Sequence, residues 1–367
     1  MKSINDTKEA ILLQCRTYPM LEIRDLFKFL YQSSFGCEHL IASADAVTEN
    51  IHKEYENLKD SIGAKTEAKE NDSLREALIE PLCGDYCRVK LSYLSHGLSP
   101  ETLGRIFAAS ARTETDGLRR LEEMLEAASE LAKEGRLPFS EEELKKASEH
   151  WKKEGYPAVH HSEEFREAYR PAYRVVAKSY AKFMELFAEI DRRLKRGDVR
   201  LAIEGGSASG KTTLSAMLAE IYDCSVFHMD DFFLRPEQRT KERYAEIGGN
   251  VDRERFLSEV LKPLSKGETI AYRRFDCKSL QLEPARSIIP KRLSVIEGAY
   301  SMHTELSDHY DLSVFLDISP ELQKKRISKR NTPDMAERFF NEWIPYEHKY
   351  FDGMRVKERC DMVFEIA

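Results

Sequence analysis

Residues 205–212 read Gly-Gly-Ser-Ala-Ser-Gly-Lys-Thr, which puts a lysine and a hydroxyl directly after a glycine-rich stretch in the pattern G-x-x-x-x-G-K-[ST]. That spacing suits polyphosphate chemistry. Gly205, Gly206 and Gly210 let successive backbone N–H groups turn towards phosphate oxygens, and Ser207, Ala208 and Ser209 supply amides between them. Lys211 would bridge the β- and γ-phosphates of ATP and Thr212 would ligate Mg²⁺. Thr213 continues into a helix whose positive end adds to the attraction. The bland alternative is a glycine-rich turn with no nucleotide.

A loop of this kind serves ATPases and kinases alike, so acids at the ends of later strands must decide between them. Ligands of open α/β sheets lie beyond the carboxyl ends of the strands. The apolar run SVFHM ends at Asp230-Asp231-Phe232-Phe233, and a carboxylate there could accept the proton of an attacking hydroxyl. Of the two adjacent acids, Asp230 is expected to be the base and Asp231 a local cap. The run LSVI ends at Glu297-Gly298. Glu297 is expected near Mg²⁺, because an unpaired carboxylate in a core is costly.

Together these features resemble the uridine kinase and phosphoribulokinase branch of P-loop kinases, over essentially all of residues 198–367. The resemblance implies ATP and Mg²⁺ as cofactors and a strand-end aspartate as base; the family's D-S-F-Y is matched by Asp230-Asp231-Phe232-Phe233. Its N-x-D-x-P-x-x-F segment is similar to Asn250-Val-Asp252-Arg-Glu-Arg-Phe256, which implies that Asp252 holds acceptor hydroxyls. Read locally, Asp252 is equally an N-cap for the helix that follows. The family's lid helix is matched by 321–331. Arg326 and Arg330, four apart, share one helix face and could neutralise a transferring phosphoryl group, or simply form a solvated face. The pyrimidine-reading Y-D-F-x-x-H-S-R becomes Tyr272-Arg-Arg-Phe275-Asp276-Cys277-Lys278. Tyr272 carries over as an acceptor contact, but the histidine is missing. Arg273, Arg274 and Lys278 then point either to a phosphorylated or acidic acceptor or to ordinary surface charge.

The elements that would position these residues begin at Val199. Short apolar runs (VRLAIEGG, SVFHMDDFF, LSVIEGAY, DLSVFLDIS) alternate with helical patterns, which predicts an α/β P-loop NTPase domain of three layers on a parallel sheet over 198–367. Residues 1–196 read as an all-α domain. Leu118, Leu121, Leu125 and Leu131 lie near one helical stripe, Ser140 and Glu143 form a capping-box spacing, and a last helix is expected over about 171–194. A loop is expected around 62–73.

The chain has 367 residues, enough for two or three domains, with 57 Lys and Arg against 64 Asp and Glu for a net charge of −7. That balance disfavours broad binding to nucleic acid or to an anionic membrane. No run is apolar enough to span a bilayer and the N-terminus is too charged for a signal peptide, so a cytoplasmic location is the default expectation. The seven scattered cysteines are expected to be reduced, and Cys83 and Cys87 lack a second pair at zinc-finger spacing.

In the helical half three clusters invite attention: Phe35-Gly36-Cys37-Glu38-His39, Gly84-Asp85-Tyr86-Cys87-Arg88, and His160-His161-Ser162 with Arg166, Tyr169, Arg170, Tyr173 and Arg174. A lone histidine is more often a hydrogen-bonded core residue than a ligand. The alternating Arg and Tyr are either a polar packing seam or a grip for a phosphate or a base. This half is expected to be a scaffold or a homo-oligomerisation surface, or to add substrate or regulatory contacts. The leading functional expectation is an ATP-dependent kinase of a small hydroxyl-bearing metabolite, a nucleoside such as uridine first. The alternatives are a kinase of a phosphosugar or other alcohol, and a nucleotide-driven switch whose helical half binds a partner.

Overall fold

The computed structural model describes residues 4–37, 44–62, 77–111 and 116–366. Glu38 and His39, and the loop expected around 62–73 apart from Ile62, lie outside them. The chain divides into two compact units, Met1–Asp191 and Arg192–Ala367.

The first unit contains α1 (Ile4–Thr17), α2 (Ile23–Phe35), α3 (Ala44–Ile62), β1 (Ile79–Pro81), β2 (Tyr86–Lys90), α4 (Pro100–Ser110), α5 (Gly117–Lys133), α6 (Glu141–Lys153), α7 (Glu163–Tyr169), β3 (Tyr173–Ala177) and α8 (Met184–Leu194). Helices predominate, as expected, but the reading of this half as purely helical needs a correction: β1, β2 and β3 form an antiparallel sheet in that order. The helix expected over 171–194 opens instead as a strand. Pro171 holds the residue before it out of the α-helical region, Arg170 sits at φ +43°, and the β-branched pair Val175-Val176 pairs with Arg88 and Cys87. The apolar face anticipated there is still buried, since Val175, Phe187 and Ile190 are at most 3% exposed.

The buried stripe of α5 runs through Leu121, Met124, Ala128 and Leu131; Leu118 is 54% exposed, so the stripe is rotated from the one expected. The capping box that opens α6 is present: Ser140 Oγ accepts from Glu143 N–H, and the Glu143 carboxylate accepts from Ser140 N–H at 2.9 Å. No disulfide joins the cysteines, and Cys83 and Cys87 are buried. Among the described residues no helix is long and apolar enough to cross a membrane.

The second unit is built on β4 (Val199–Gly205), β5 (Cys224–His228), β6 (Leu293–Glu297), β7 (Leu312–Ile318) and β8 (Met362–Ile366), all parallel, in the order β8-β7-β4-β6-β5. The four expected runs are β4 to β7; β8 is a fifth strand on one edge. Central strands buried on both faces explain their near-continuous apolar character. On one face Ala202, Phe227, Ile296 and Phe315 join Phe256, Val260 and Tyr350 in a core. On the other, Leu201, Ile203, Val295 and Val314 are almost wholly buried, and α9 (Lys211–Ile221) packs on β4, β5 and β6. Helices α10 (Pro320–Arg330) and α11 (Ile344–Met354) follow β7.

Candidate active site

The glycine-rich loop leaves β4, the central strand, and enters α9, so its amides lie beyond the carboxyl end of the sheet. Gly205 has φ +144°, and a Cβ there would stand 2.6 Å from the Leu316 carbonyl oxygen, so no other residue fits. Ala208 adopts φ +62°, a strained setting for a residue with a side chain. It is held there in part by Arg326 of α10, whose Nη1 donates to the Ala208 and Ser209 carbonyls at 3.0 and 3.4 Å. Lys211 Nζ is turned onto the Gly205 and Gly206 carbonyls at 2.7 and 3.0 Å.

Two acids that the spacing did not single out support this loop. Glu347 of α11 accepts from Ser207 N–H at 2.9 Å and from Ser207 Oγ at 2.6 Å. Burial pushes its pKa up, against the pull of Lys211. Three residues on, Tyr350 donates to Glu204 at 2.9 Å, so one face of α11 grips both the loop and the strand beneath it. Glu204 is fully buried, accepts from the Gly205 and Met302 amides, and burial pushes its pKa up to about 7. Gln323 of α10 adds a bond from its amide to the Ser207 carbonyl at 3.0 Å. Glu204 carried a local signal, an acid one residue before the loop; Glu347 and Gln323, more than a hundred residues away, carried none.

The two aspartates after β5 have different surroundings. Asp231 is 6% exposed, accepts from Tyr272 Oη at 2.9 Å and pairs with Arg274 at 3.3 Å. Asp230 is exposed, yet protein crowds its carboxyl closely enough that desolvation raises its pKa, with Lys211 opposing and Glu297 reinforcing the rise. Across the sheet, Glu297 at the end of β6 accepts from Thr212 Oγ1 at 3.2 Å and lies 2.6 Å from His228 Nδ1. The bond to Glu297 raises the His228 pKa, which favours the imidazolium form.

The expected acceptor contacts lie deeper than anticipated. Tyr272 is 2% exposed and stacks on Phe232 with ring centroids 5.3 Å apart, so its hydroxyl orients Asp231 instead of lining an open pocket. Asp252 is an N-cap, accepting from Arg255 N–H at 3.2 Å, and also accepts from Gln238 Nε2 at 3.0 Å. Of the two lid arginines only Arg326 reaches the loop. Arg330 is exposed and stacks on Phe339 at 5.5 Å. The basic segment beyond Tyr272 is engaged too, since Arg273 Nε donates to the Glu283 carbonyl at 3.1 Å.

The donor set fits a nucleotide phosphate chain. Ser209 Oγ is buried and has no hydrogen-bond partner among the described residues, the lysine is parked on carbonyls it can leave, and a Cβ on Gly206 would come within 2.9 Å of Gln323 Nε2 and 3.5 Å of Glu347 Oε2. For Mg²⁺ the fit is the Thr212 and Glu297 pair; no cluster of three His, Cys, Asp or Glu side chains suited to a metal occurs among the described residues. Such sparse protein ligation suits Mg²⁺, which keeps several waters and takes phosphate oxygens as ligands.

Residues 201–341 match the profile of the Phosphoribulokinase / Uridine kinase family. The C-terminal half is similar to the uridine kinase and phosphoribulokinase branch of P-loop kinases. Over 146 residues this kinase-like domain is 27% identical to a uridine kinase of Chlamydia pneumoniae, an alignment that takes in 37% of the chain and 64% of that relative's length. Among solved structures, one described as a possible uridine kinase from Bacillus stearothermophilus is 23% identical, with a TM-score of 0.37, over 49% of this chain and 99% of that one. Shikimate kinase from Bacteroides thetaiotaomicron is 14% identical, with a TM-score of 0.26, over 46% of this chain and 86% of its own.

Proposed function

We propose that the C-terminal unit is an ATP- and Mg²⁺-dependent kinase that transfers the γ-phosphoryl group to a hydroxyl of a small metabolite, with a nucleoside such as uridine as the first candidate. The observation that carries this reading is Asp230, an exposed carboxylate just beyond β5, facing Lys211 and Glu297 electrostatically and with no hydrogen-bond partner among the described residues. A nucleotide-driven switch has no need of a base facing a bound alcohol.

In this reading the loop amides and Lys211 hold the β- and γ-phosphates, and Thr212 with Glu297 would hold Mg²⁺, which when bound neutralises phosphate charge. Asp230 accepts the proton of the acceptor hydroxyl as its oxygen approaches phosphorus in line, and its raised pKa brings it closer to the range where a base works well near neutrality. Arg326, already at the loop, places a guanidinium where negative charge accumulates. Asp231 sets the position of its neighbour through Tyr272. Arg274 is paired with Asp231, which leaves it less available to a phosphorylated acceptor.

The test is ADP formation with MgATP against uridine, other nucleosides, phosphosugars and simple alcohols, with Asp230→Asn alongside. Stimulation by one acceptor, with recovery of its phosphorylated product, supports the kinase. Tight ATP binding with no acceptor-dependent turnover would transfer the reading to the switch.

A further inference from the structure

The first unit contains a second polar site that the phosphoryl-transfer reading does not use. A cavity of about 280 Å³ lies between β2, α7 and the start of β3, and Arg88 forms part of its wall. Arg88 is 1% exposed. Its Nε donates to Gln32 Oε1 at 2.9 Å and its Nη1 to Glu80 Oε1 at 2.9 Å, while Nη2 is buried with no hydrogen-bond partner among the described residues. An unsatisfied donor on a buried cation is expensive, so the protein maintains this edge of the guanidinium at a cost.

The surroundings of that edge are built, not incidental. Asp25, 1% exposed, lies 2.8 Å from His161 Nδ1; His161 Nε2 lies 2.7 Å from the Tyr173 hydroxyl; and the Arg88 guanidinium sits 4.8 Å from the centroid of the Tyr173 ring. On the other side Glu80 accepts from Tyr18 Oη at 2.9 Å. A connected network of this kind fixes side-chain positions more tightly than its separate pairs would. Tyr18, Phe165 and Tyr169 pack edge to face or tilted at 4.8–5.1 Å and form a rigid aromatic wall.

Lys90 and Arg170 also line the cavity. The unbonded edge of the Arg88 guanidinium is a charged donor, and an anionic oxygen is the partner that suits it best. The volume falls just below the lower end of ordinary ligand pockets. We propose that this cavity binds a small organic anion, a single aromatic or heteroaromatic ring carrying a carboxylate or a phosphate, with the oxyanion on Arg88 and the ring against the Tyr18, Phe165 and Tyr169 wall. The Arg and Tyr alternation of 165–174 thereby acts as a grip as well as a packing seam. The proposal is independent of the kinase reading.

The test is calorimetric titration of the full chain with benzoate, phenyl phosphate, benzyl alcohol and inorganic phosphate. Arg88→Lys keeps the buried charge opposite Glu80 and removes the planar fork. The double variant Lys90→Ala with Arg170→Ala substitutes neither Arg88 nor its partners Gln32 and Glu80, and unchanged thermal unfolding certifies that it is folded. Benzoate or phenyl phosphate should saturate with a Kd below about 1 mM, and benzyl alcohol and inorganic phosphate should each bind at least about tenfold more weakly. The double variant should weaken the better probe by about tenfold or more, and Arg88→Lys likewise. Whichever of benzoate and phenyl phosphate binds more tightly identifies the oxyanion. The proposal is overturned if neither saturates below about 10 mM, if benzyl alcohol binds as well as benzoate, if inorganic phosphate equals phenyl phosphate, or if the folded double variant binds unchanged.

Discussion

Replacing Asp230 and Asp231 one at a time by asparagine separates two roles that adjacency in the sequence conceals. Asp230→Asn removes a charge from an exposed carboxylate that makes no hydrogen bond among the described residues, so folding stability should move by no more than about 0.5 kcal/mol. If Asp230 is the base, turnover should fall by about 10²–10⁴, equivalent to about 3–5 kcal/mol of barrier, with nucleotide affinity nearly unchanged. Asp231→Asn should do the reverse. It weakens a buried bond from Tyr272, worth about 1–3 kcal/mol. Arg274 is half exposed, so solvent screening limits its share to about 1 kcal/mol or less. Asp231→Asn should therefore lower the unfolding transition by several degrees while costing less than about tenfold in turnover, the size of an indirect positioning effect. The assay is initial-rate ADP release with the acceptor identified by the panel, run beside thermal unfolding of both variants. A normal rate in Asp230→Asn together with a dead but stable Asp231→Asn would refute the assignment and make Asp231 the base.

Three further outcomes follow from the same geometry. Lys211→Ala should abolish transfer while retaining the fold, because among the described residues its ammonium donates only to the Gly205 and Gly206 carbonyls; rate and thermal unfolding check this together. Arg326→Ala should cost about 10² or more in turnover and Arg330→Ala less than about tenfold, since only the first touches the loop, and equal losses would restore Arg330 to the site. Glu204 is an acid whose folded pKa, about 7, lies above its unfolded value near 4.5. Its stabilising contribution is thus fully present below about pH 4.5 and is lost as pH rises towards and through 7, a change of about 3 kcal/mol. Glu204→Gln should flatten this part of the stability profile between about pH 5 and 8, and parallel denaturation curves for the two proteins would contradict a carboxyl that titrates there.

The phosphate loop, its lysine and the acids at the ends of β5 and β6 were legible because each sits in a local pattern, an apolar run followed at once by a polar residue. What separates Asp230 from Asp231 was not local. Tyr272 arrives from 41 positions away, and only packing shows which carboxylate it takes. Glu347 belongs to a helix with no distinguishing spacing, and its partners, the amide and hydroxyl of Ser207, lie 140 positions away. Strand β3 was read as helix because Tyr180, Phe183, Phe187 and Ile190 do recur at helical spacing; that period was extended backwards over Pro171 and two valines that sheet pairing with β2 claims. The stretch matched to the family's lid does form a helix, α10, but which of its two arginines faces the loop depends on how α10 is rotated, and Gln323 and Ile327 are the residues it buries.

The order β8-β7-β4-β6-β5 also dictates when this half of the chain can fold. Strand β4 ends at Gly205, yet its two neighbours begin at Leu293 and Leu312. On a ribosome the glycine-rich loop, Lys211 and Asp230 are all synthesised while the strand that anchors them has no partner on either side, and β5 must likewise wait for β6. Such distant pairings make closure slow and leave apolar strands exposed meanwhile. The first unit, whose β3 is made long before then, is free to fold in the interval. A nascent chain released before β6 would therefore carry the whole phosphate-binding sequence without the phosphate-binding loop, because that loop's shape belongs to the finished sheet and not to its own eight residues.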